Sequence, residues 1–163
     1  MPNFIGVGHV GLGAKDLAAL AAFYRDVMGM TVVRESPADA PFGATLFLSG
    51  HPEAEDHEVV FVSNPALAHT AFKVASLGEL RTFYRQVKER GVPIKYALNH
   101  GVSLSFYFDD PEGHTIEIYW PTNVRVRQFL ADPIDLDLPE EELLREVERV
   151  AGQFGRRAPS TAS

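Results

Sequence analysis

The chain has 163 residues, 45 % of them hydrophobic, enough for one domain with its own core. A net charge of −7 and a pI near 5.3 argue against a nucleic-acid or anionic-membrane partner, either of which calls for a basic face. With no cysteine, disulfides, thiolate metal sites and cysteine nucleophiles are excluded, so any metal must be held by histidine and carboxylate. No apolar run approaches the roughly 20 residues that cross a bilayer, and the N-terminus lacks the order of a signal peptide. A cytoplasmic protein with no membrane partner is the expectation.

After a loose start at Pro2 and Asn3, Ile5 to Leu12 reads as a strand in which Val10 and Leu12 alternate with His9 and Gly11. Asp16 reads as a helix N-cap, Leu17, Leu20, Phe23, Tyr24 and Val27 recur at helical spacing, and Gly29 closes the helix. Short strands come next at Thr31 to Glu35 and Ala44 to Leu48, separated by a loop from Ser36 to Gly43. A polar turn from Gly50 to Asp56 leads into a strand from His57 to Val62.

The next segment repeats the first. His9/His69, Leu17/Leu77, Leu20/Leu80, Phe23/Phe83, Tyr24/Tyr84, Arg25/Arg85, Val27/Val87 and Val32/Val92 are each 60 apart with no gap, well beyond coincidence. The second copy predicts a strand at Thr70 to Val74, a helix from Ser76 or Leu77 to Arg90 capped by Gly91, and three more strands. Each half is then βαβββ, and the same offset takes His57 to Glu117. Two like modules pack most economically about a pseudo-twofold axis, first strand beside first and last beside last. The expected fold is α+β, a cupped mixed sheet with His9, His57, His69 and Glu117 on its inner face. Gly11 and Ala71 are small and leave room before the histidines, while Val10, Leu12, Phe72, Val74, Ile116 and Ile118 face the helices.

Within the second module, Ser103 to Phe108 and Thr115 to Trp120 alternate polar and apolar, joined by the turn Asp110-Pro111-Glu112-Gly113. Paired as a hairpin, they set Glu117 and Tyr119 beside Ser105 and Tyr107. A mid-strand carboxylate flanked by isoleucines is costly unless it has a partner. Pro121 to Asp137 reads as an extended arm. Pro139 to Phe154 reads as a helix whose Leu143, Leu144, Val147, Val150, Ala151 and Phe154 form one stripe, docking on its own domain or on a twin subunit. The expected boundaries are a domain over 1–120 with modules 4–64 and 65–120, an arm and helix over 121–155, and a flexible tail over 156–163.

Two imidazoles and a carboxylate converging in a cup form a facial set with open positions, which suits Fe(II) or another divalent first-row ion. His51, His114, Arg25 and Arg85 read as surface residues. From these residues the chain resembles the vicinal oxygen chelate superfamily, and within it the type I extradiol ring-cleaving dioxygenases, over residues 4 to 120. The resemblance implies that His9, His69 and Glu117 are the iron ligands, with Mn(II) as an alternative ion. His57, His100 in Asn99-His100-Gly101, and Tyr107 match the family's further active-site positions. It implies that a catechol chelates the metal and is opened by O2 beside a hydroxyl-bearing carbon. His57 then holds or delivers a proton, while His100 and Tyr107 bond the substrate oxygens. The departure is size, since many members carry a second pair of modules. A homo-oligomer, dimer or higher, is expected. The rival readings are a glyoxalase-type lyase or isomerase, in which a carboxylate such as Glu58 adds a fourth ligand, a metabolite- or drug-binding protein on the same scaffold, and an epimerase or thiol-transfer resistance enzyme on it.

Overall fold

A computed structural model describes residues 3–124, 126 and 130–154. The expected tail over 156–163, Pro2 and the side chain of Phe154 lie outside the described residues. The described chain forms two compact units, residues 8–70 and residues 71–154 together with 3–7. The architecture is mixed α+β, with the βαβββ order present twice.

The first module runs β1 (Phe4–Gly13), α1 (Leu17–Asp26), β2 (Thr31–Ser36), β3 (Thr45–Ser49) and β4 (Val59–Val62). Asp16 caps α1 by accepting the Ala19 N–H at 2.9 Å, and Gly29 leaves the helix at φ +69°, a backbone angle that disfavours a side chain. Strand order is β2-β3-β4-β1, antiparallel except for the parallel pair β1·β4. The core of the unit is small: Leu46, Leu48 and Phe61, with Leu17, Leu20, Tyr24 and Val32 packed around them.

The second module runs β5 (His69–Val74), α2 (Leu77–Glu89), β6 (Ile94–Asn99), β7 (Ser103–Asp109) and β8 (Thr115–Pro121). Its hairpin is the one expected, with Ser105 opposite Tyr119 and Tyr107 opposite Glu117. Gly113 closes the turn at φ +87° and donates its N–H to Asp110 O at 3.0 Å. Ser76 caps α2 by accepting the Glu79 N–H, and Glu79 returns a carboxylate oxygen to the Ala75 N–H. Leu77, Leu80, Phe83 and Val87 of α2 pack on Leu104, Phe106 and Ile118.

The C-terminal stripe docks on this same unit, except for Leu144, which points away from the Leu143–Val147–Val150 line and is exposed. Helix α3 (Glu140–Phe154) sets Leu143 and Val147 into the α2 core, and Val150 packs with Val126 and Leu130. Arg81 donates to the carbonyls of Leu136 and Leu138, tying the arm down. The arm carries an unexpected two-residue strand, β9 (Asp132–Pro133), paired with Leu98 and Asn99 of β6.

Three expectations need correction. Each closing strand is flanked by strands of its own module, β4 by β1 and β3 and β8 by β5 and β7, so last strand does not lie beside last. The cause is the parallel register Val10↔Val59 to Gly13↔Val62, which occupies the free edge of β4. Strand β4 begins at Val59 rather than His57, because Glu58 turns its carboxylate back onto the Gly50 N–H at 2.6 Å and Asp56 is drawn to Arg34. Leu12, expected to pack under a helix, is exposed.

Candidate functional site

The first unit gathers His9, His57 and His69. His9 is buried on β1, and His69 opens β5 with its Nδ1 at 2.7 Å from Leu67 O, at the end of the 3-10 turn Pro65–Leu67. A carbonyl only accepts, so His69 Nδ1 carries the proton and its Nε2 lone pair is exposed to a partner. That Nε2 lies 3.1 Å from His9 Nε2. Either His9 donates a proton to His69, or both lone pairs face one cation. Two imidazole nitrogens at right angles on an ion, each about 2.1 Å from it, stand about 3.0 Å apart, whereas a tetrahedral angle gives about 3.4 Å. The spacing thus fits adjacent positions on a centre with room for more ligands, and the donor set fits a divalent first-row ion.

Gly11 makes this approach possible. A Cβ at that position would sit 2.7 Å from the His69 ring, inside any real contact. The sequence expectation that residue 11 must be small thus has a physical cause.

His57 lies just ahead of β4, its ring centroid 4.3 Å from that of His9. Its Nδ1 donates to Asp56 Oδ2 at 2.8 Å, leaving the Nε2 lone pair free of that bond. Burial, with repulsion from His9, lowers the His57 pKa to about 4 despite the Asp56 carboxylate, so the ring is neutral at pH 7. Asp56 is in turn gripped by Arg34, Nη1 to Oδ1 at 3.1 Å and Nη2 to Oδ2 at 2.6 Å. Burial opposes its charge, but hydrogen bonds from His57 and Arg34 and the guanidinium charge outweigh it and hold Asp56 far below the usual carboxylate range. Arg34 also lies 4.6 Å over the Phe47 ring, and Phe47 meets His57 edge-on at 5.0 Å. Sequence reasoning missed Arg34 and took Asp56 as part of a polar turn. The one available signal was a basic residue at mid-strand in β2, which is weak.

The second unit gathers His100, Tyr107 and Glu117. His100 Nδ1 donates to Leu130 O at 2.5 Å, and its Nε2 lies 3.0 Å from the Tyr107 hydroxyl. Gly101, at φ +74°, lets the chain turn there, and a Cβ would strike Val126 at 2.6 Å. Tyr107 is opposite Glu117 across β7·β8, and both are buried. Burial first, and then the Glu117 charge, raise the Tyr107 pKa well above its ordinary value, so the phenol stays protonated.

The remaining candidates sit where expected. His51 pairs with Glu58 and His114 with Asp110, both histidines exposed, and Arg25 pairs with Asp26 in solvent. Among the described residues no helix is long and apolar enough to cross a membrane.

Two curated relatives and one solved structure of the same fold are similar to this chain. The biphenyl-2,3-diol 1,2-dioxygenase 3 of Rhodococcus globerulus is 32 % identical over 124 residues, covering 69 % of this chain and 61 % of that protein. The metallothiol transferase FosB of Staphylococcus haemolyticus is 26 % identical over 119 residues, covering 70 % of this chain and 82 % of that one. Among solved structures, homoprotocatechuate 2,3-dioxygenase from Brevibacterium fuscum, in complex with 3,4-dihydroxyphenylacetate, superposes with a TM-score of 0.60 at 20 % identity. That likeness covers 82 % of this chain and 39 % of the other. The chain therefore spans about three fifths of the Rhodococcus relative's length and less than half of the solved structure's. A family profile matches residues 6–118, and by that match the chain belongs to the Glyoxalase/Bleomycin resistance protein/Dioxygenase superfamily.

Proposed function

We propose that this protein is an Fe(II)-dependent extradiol dioxygenase of the catechol 2,3-type, opening a catecholic ring with O2 in aromatic catabolism. His9, His69 and Glu117 hold the metal, with Mn(II) the alternative ion. His57, His100 and Tyr107 act on substrate. The observation that carries the reading is the pair of Nε2 atoms 3.1 Å apart with the His69 proton committed to Leu67 O. Glu117 is the buried carboxylate at the position where the family carries its third ligand, and each of the three residues offers one ligand atom. Similarity to a biphenyl-diol dioxygenase favours a diol substrate.

When bound, the divalent ion supplies Lewis acidity that lowers the phenol pKa of a chelating diol, with open positions for diol and O2. The chain's own groups do the rest. His57, neutral and with Nδ1 donating to Asp56, accepts or returns a proton at Nε2. Tyr107 stays a phenol whose O–H donates to His100 Nε2, so its oxygen faces substrate as an acceptor for a diol hydroxyl, and His100 orients it. The modules 4–64 and 65–120 form the working domain, and the protein acts in the cytoplasm as a homo-oligomer.

A second reading, a metallothiol transferase or glyoxalase-type enzyme, draws on the similarity to FosB. Its fourth ligand would come from Glu58, yet that carboxylate accepts from the Gly50 N–H at 2.6 Å and meets Ser49 and His51. Anaerobic reconstitution with Fe(II), then catechol or 3-substituted catechols, then air, separates the two. Oxygen uptake with a yellow ring-fission product is expected. Neither signal across the panel overturns the dioxygenase reading.

A further inference from the structure

We propose that Arg34 and Asp56 form a positioning pair that fixes the tautomer of His57, keeping its Nε2 lone pair available. The proposal rests on the dioxygenase reading for its consequence in turnover, but on geometry alone for its effect on His57. Asp56 Oδ2 is shared, accepting His57 Nδ1–H at 2.8 Å and Arg34 Nη2–H at 2.6 Å. The second oxygen is held by Arg34 Nη1 at 3.1 Å, so the carboxylate is clamped at both ends and cannot rotate away from the imidazole. The Arg34 side chain is itself buried, 8 % exposed, with its guanidinium carbon 4.6 Å over the ring of Phe47, which abuts His57 edge-on. The imidazole thus has a carboxylate at Nδ1, an aromatic edge on one side and His9 on another.

The chemical consequence lies in which nitrogen bears the hydrogen. A free neutral histidine favours the proton on Nε2, whereas an ionised carboxylate at Nδ1 draws it there. Only the second form presents a lone pair at Nε2. Asp56 acts through His57, and Arg34 acts through Asp56.

The test uses the full chain labelled with 15N-histidine, in which nitrogen–proton correlation spectra report the His57 tautomer without any metal or turnover. Wild type should show the Nδ1–H form. Asp56→Ala should move it to Nε2–H, and so should Asp56→Asn, whose amide offers an N–H to Nδ1 where the carboxylate only accepts. Because removing Asp56 alone strands a buried guanidinium and can unfold the chain, the double variant Arg34→Met/Asp56→Ala is run beside it and should also give Nε2–H. On the iron-loaded protein, kcat should fall about 10- to 100-fold in the Asp56→Ala forms, and no less in Asp56→Asn, with KM little changed. An Nδ1–H form persisting in Asp56→Ala or in the double variant overturns the proposal. A tautomer switch in a protein that opens no catechol would leave the positioning pair standing and remove the dioxygenase reading instead.

Discussion

The two modules share their helix residues but not their fates. Phe83 and Val87 of α2 are each 9 % exposed, whereas their repeat partners, Phe23 of α1 and Val27 at its C-cap, are 51 % and 66 % exposed. Phe83 stacks on Phe4 at 4.4 Å, and the α2 core that holds Phe83 and Val87 is joined by Leu136, Leu143 and Val147 from the arm and α3. The polar residues divide too. Three imidazoles and the part-buried Arg34–Asp56 pair lie in the unit with the smaller core, and His100, Tyr107 and Glu117 in the one with the larger. An identical helical residue therefore carries no fixed energetic weight.

The largest expected effect tests the division of labour among the polar residues. His69→Ala and Glu117→Ala should abolish iron retention, measured by metal analysis after gel filtration. His57→Ala should retain iron and lose about 10²- to 10⁴-fold in turnover, the range of a lost acid–base group. Iron loss in the His57 variant would make it a fourth ligand.

The next test acts on the helices themselves. Phe83→Ala should cost about 3–5 kcal/mol in denaturant unfolding, because it opens a cavity in a packed core. Phe23→Ala should cost less than about 1 kcal/mol, since most of that ring already meets water. Equal losses would mean that the α1 face is covered in solution.

A third effect belongs to the smaller core. His57 has its pKa lowered from 6.5 to about 4 on folding. The unfolded chain then binds the extra proton across that window, so metal-free stability should be unaffected above pH 6.5 and fall as pH drops towards 4. The loss is up to roughly 3 kcal/mol, and His57→Asn should flatten that part of the curve. A slope unchanged in the variant would assign it elsewhere.

The smallest effect concerns a size asymmetry between repeat-related positions. Gly11→Ala sets a methyl group 2.7 Å from the His69 ring, so the ring must shift. Metal affinity should weaken about 10- to 100-fold, comparable to losing a group that orients a ligand. Ala71→Gly, at the position 60 residues on, should leave it nearly unchanged.

Much of the fold was legible in the chain because it is local or repeated. Asp16, Gly29 and Gly113 announce their caps and turns through side-chain chemistry and φ alone. The β7–β8 hairpin arises from alternation, which fixes Tyr107 opposite Glu117. The features that stayed hidden are non-local. Arg34 and Asp56 are 22 residues apart, and no pattern in either segment couples a strand arginine to a loop aspartate. Strand β9 has two residues, one a proline, and lies on an arm tied down at Leu136 and Leu138 by Arg81, 55 and 57 residues away. The start of β4 shifted for a related reason: the offset of 60 that relates His57 to Glu117 does not see Glu58 bonding back to Gly50.

The dioxygenase reading depends most on His9, His69 and Glu117 acting as one ligand set. A crystal structure of the protein loaded anaerobically with Fe(II) addresses this directly. One ion bound by His9 Nε2, His69 Nε2 and a Glu117 carboxylate oxygen is the result expected. An ion held by other residues, or no ion at saturating Fe(II) with a proton shared between the two imidazoles, would contradict it.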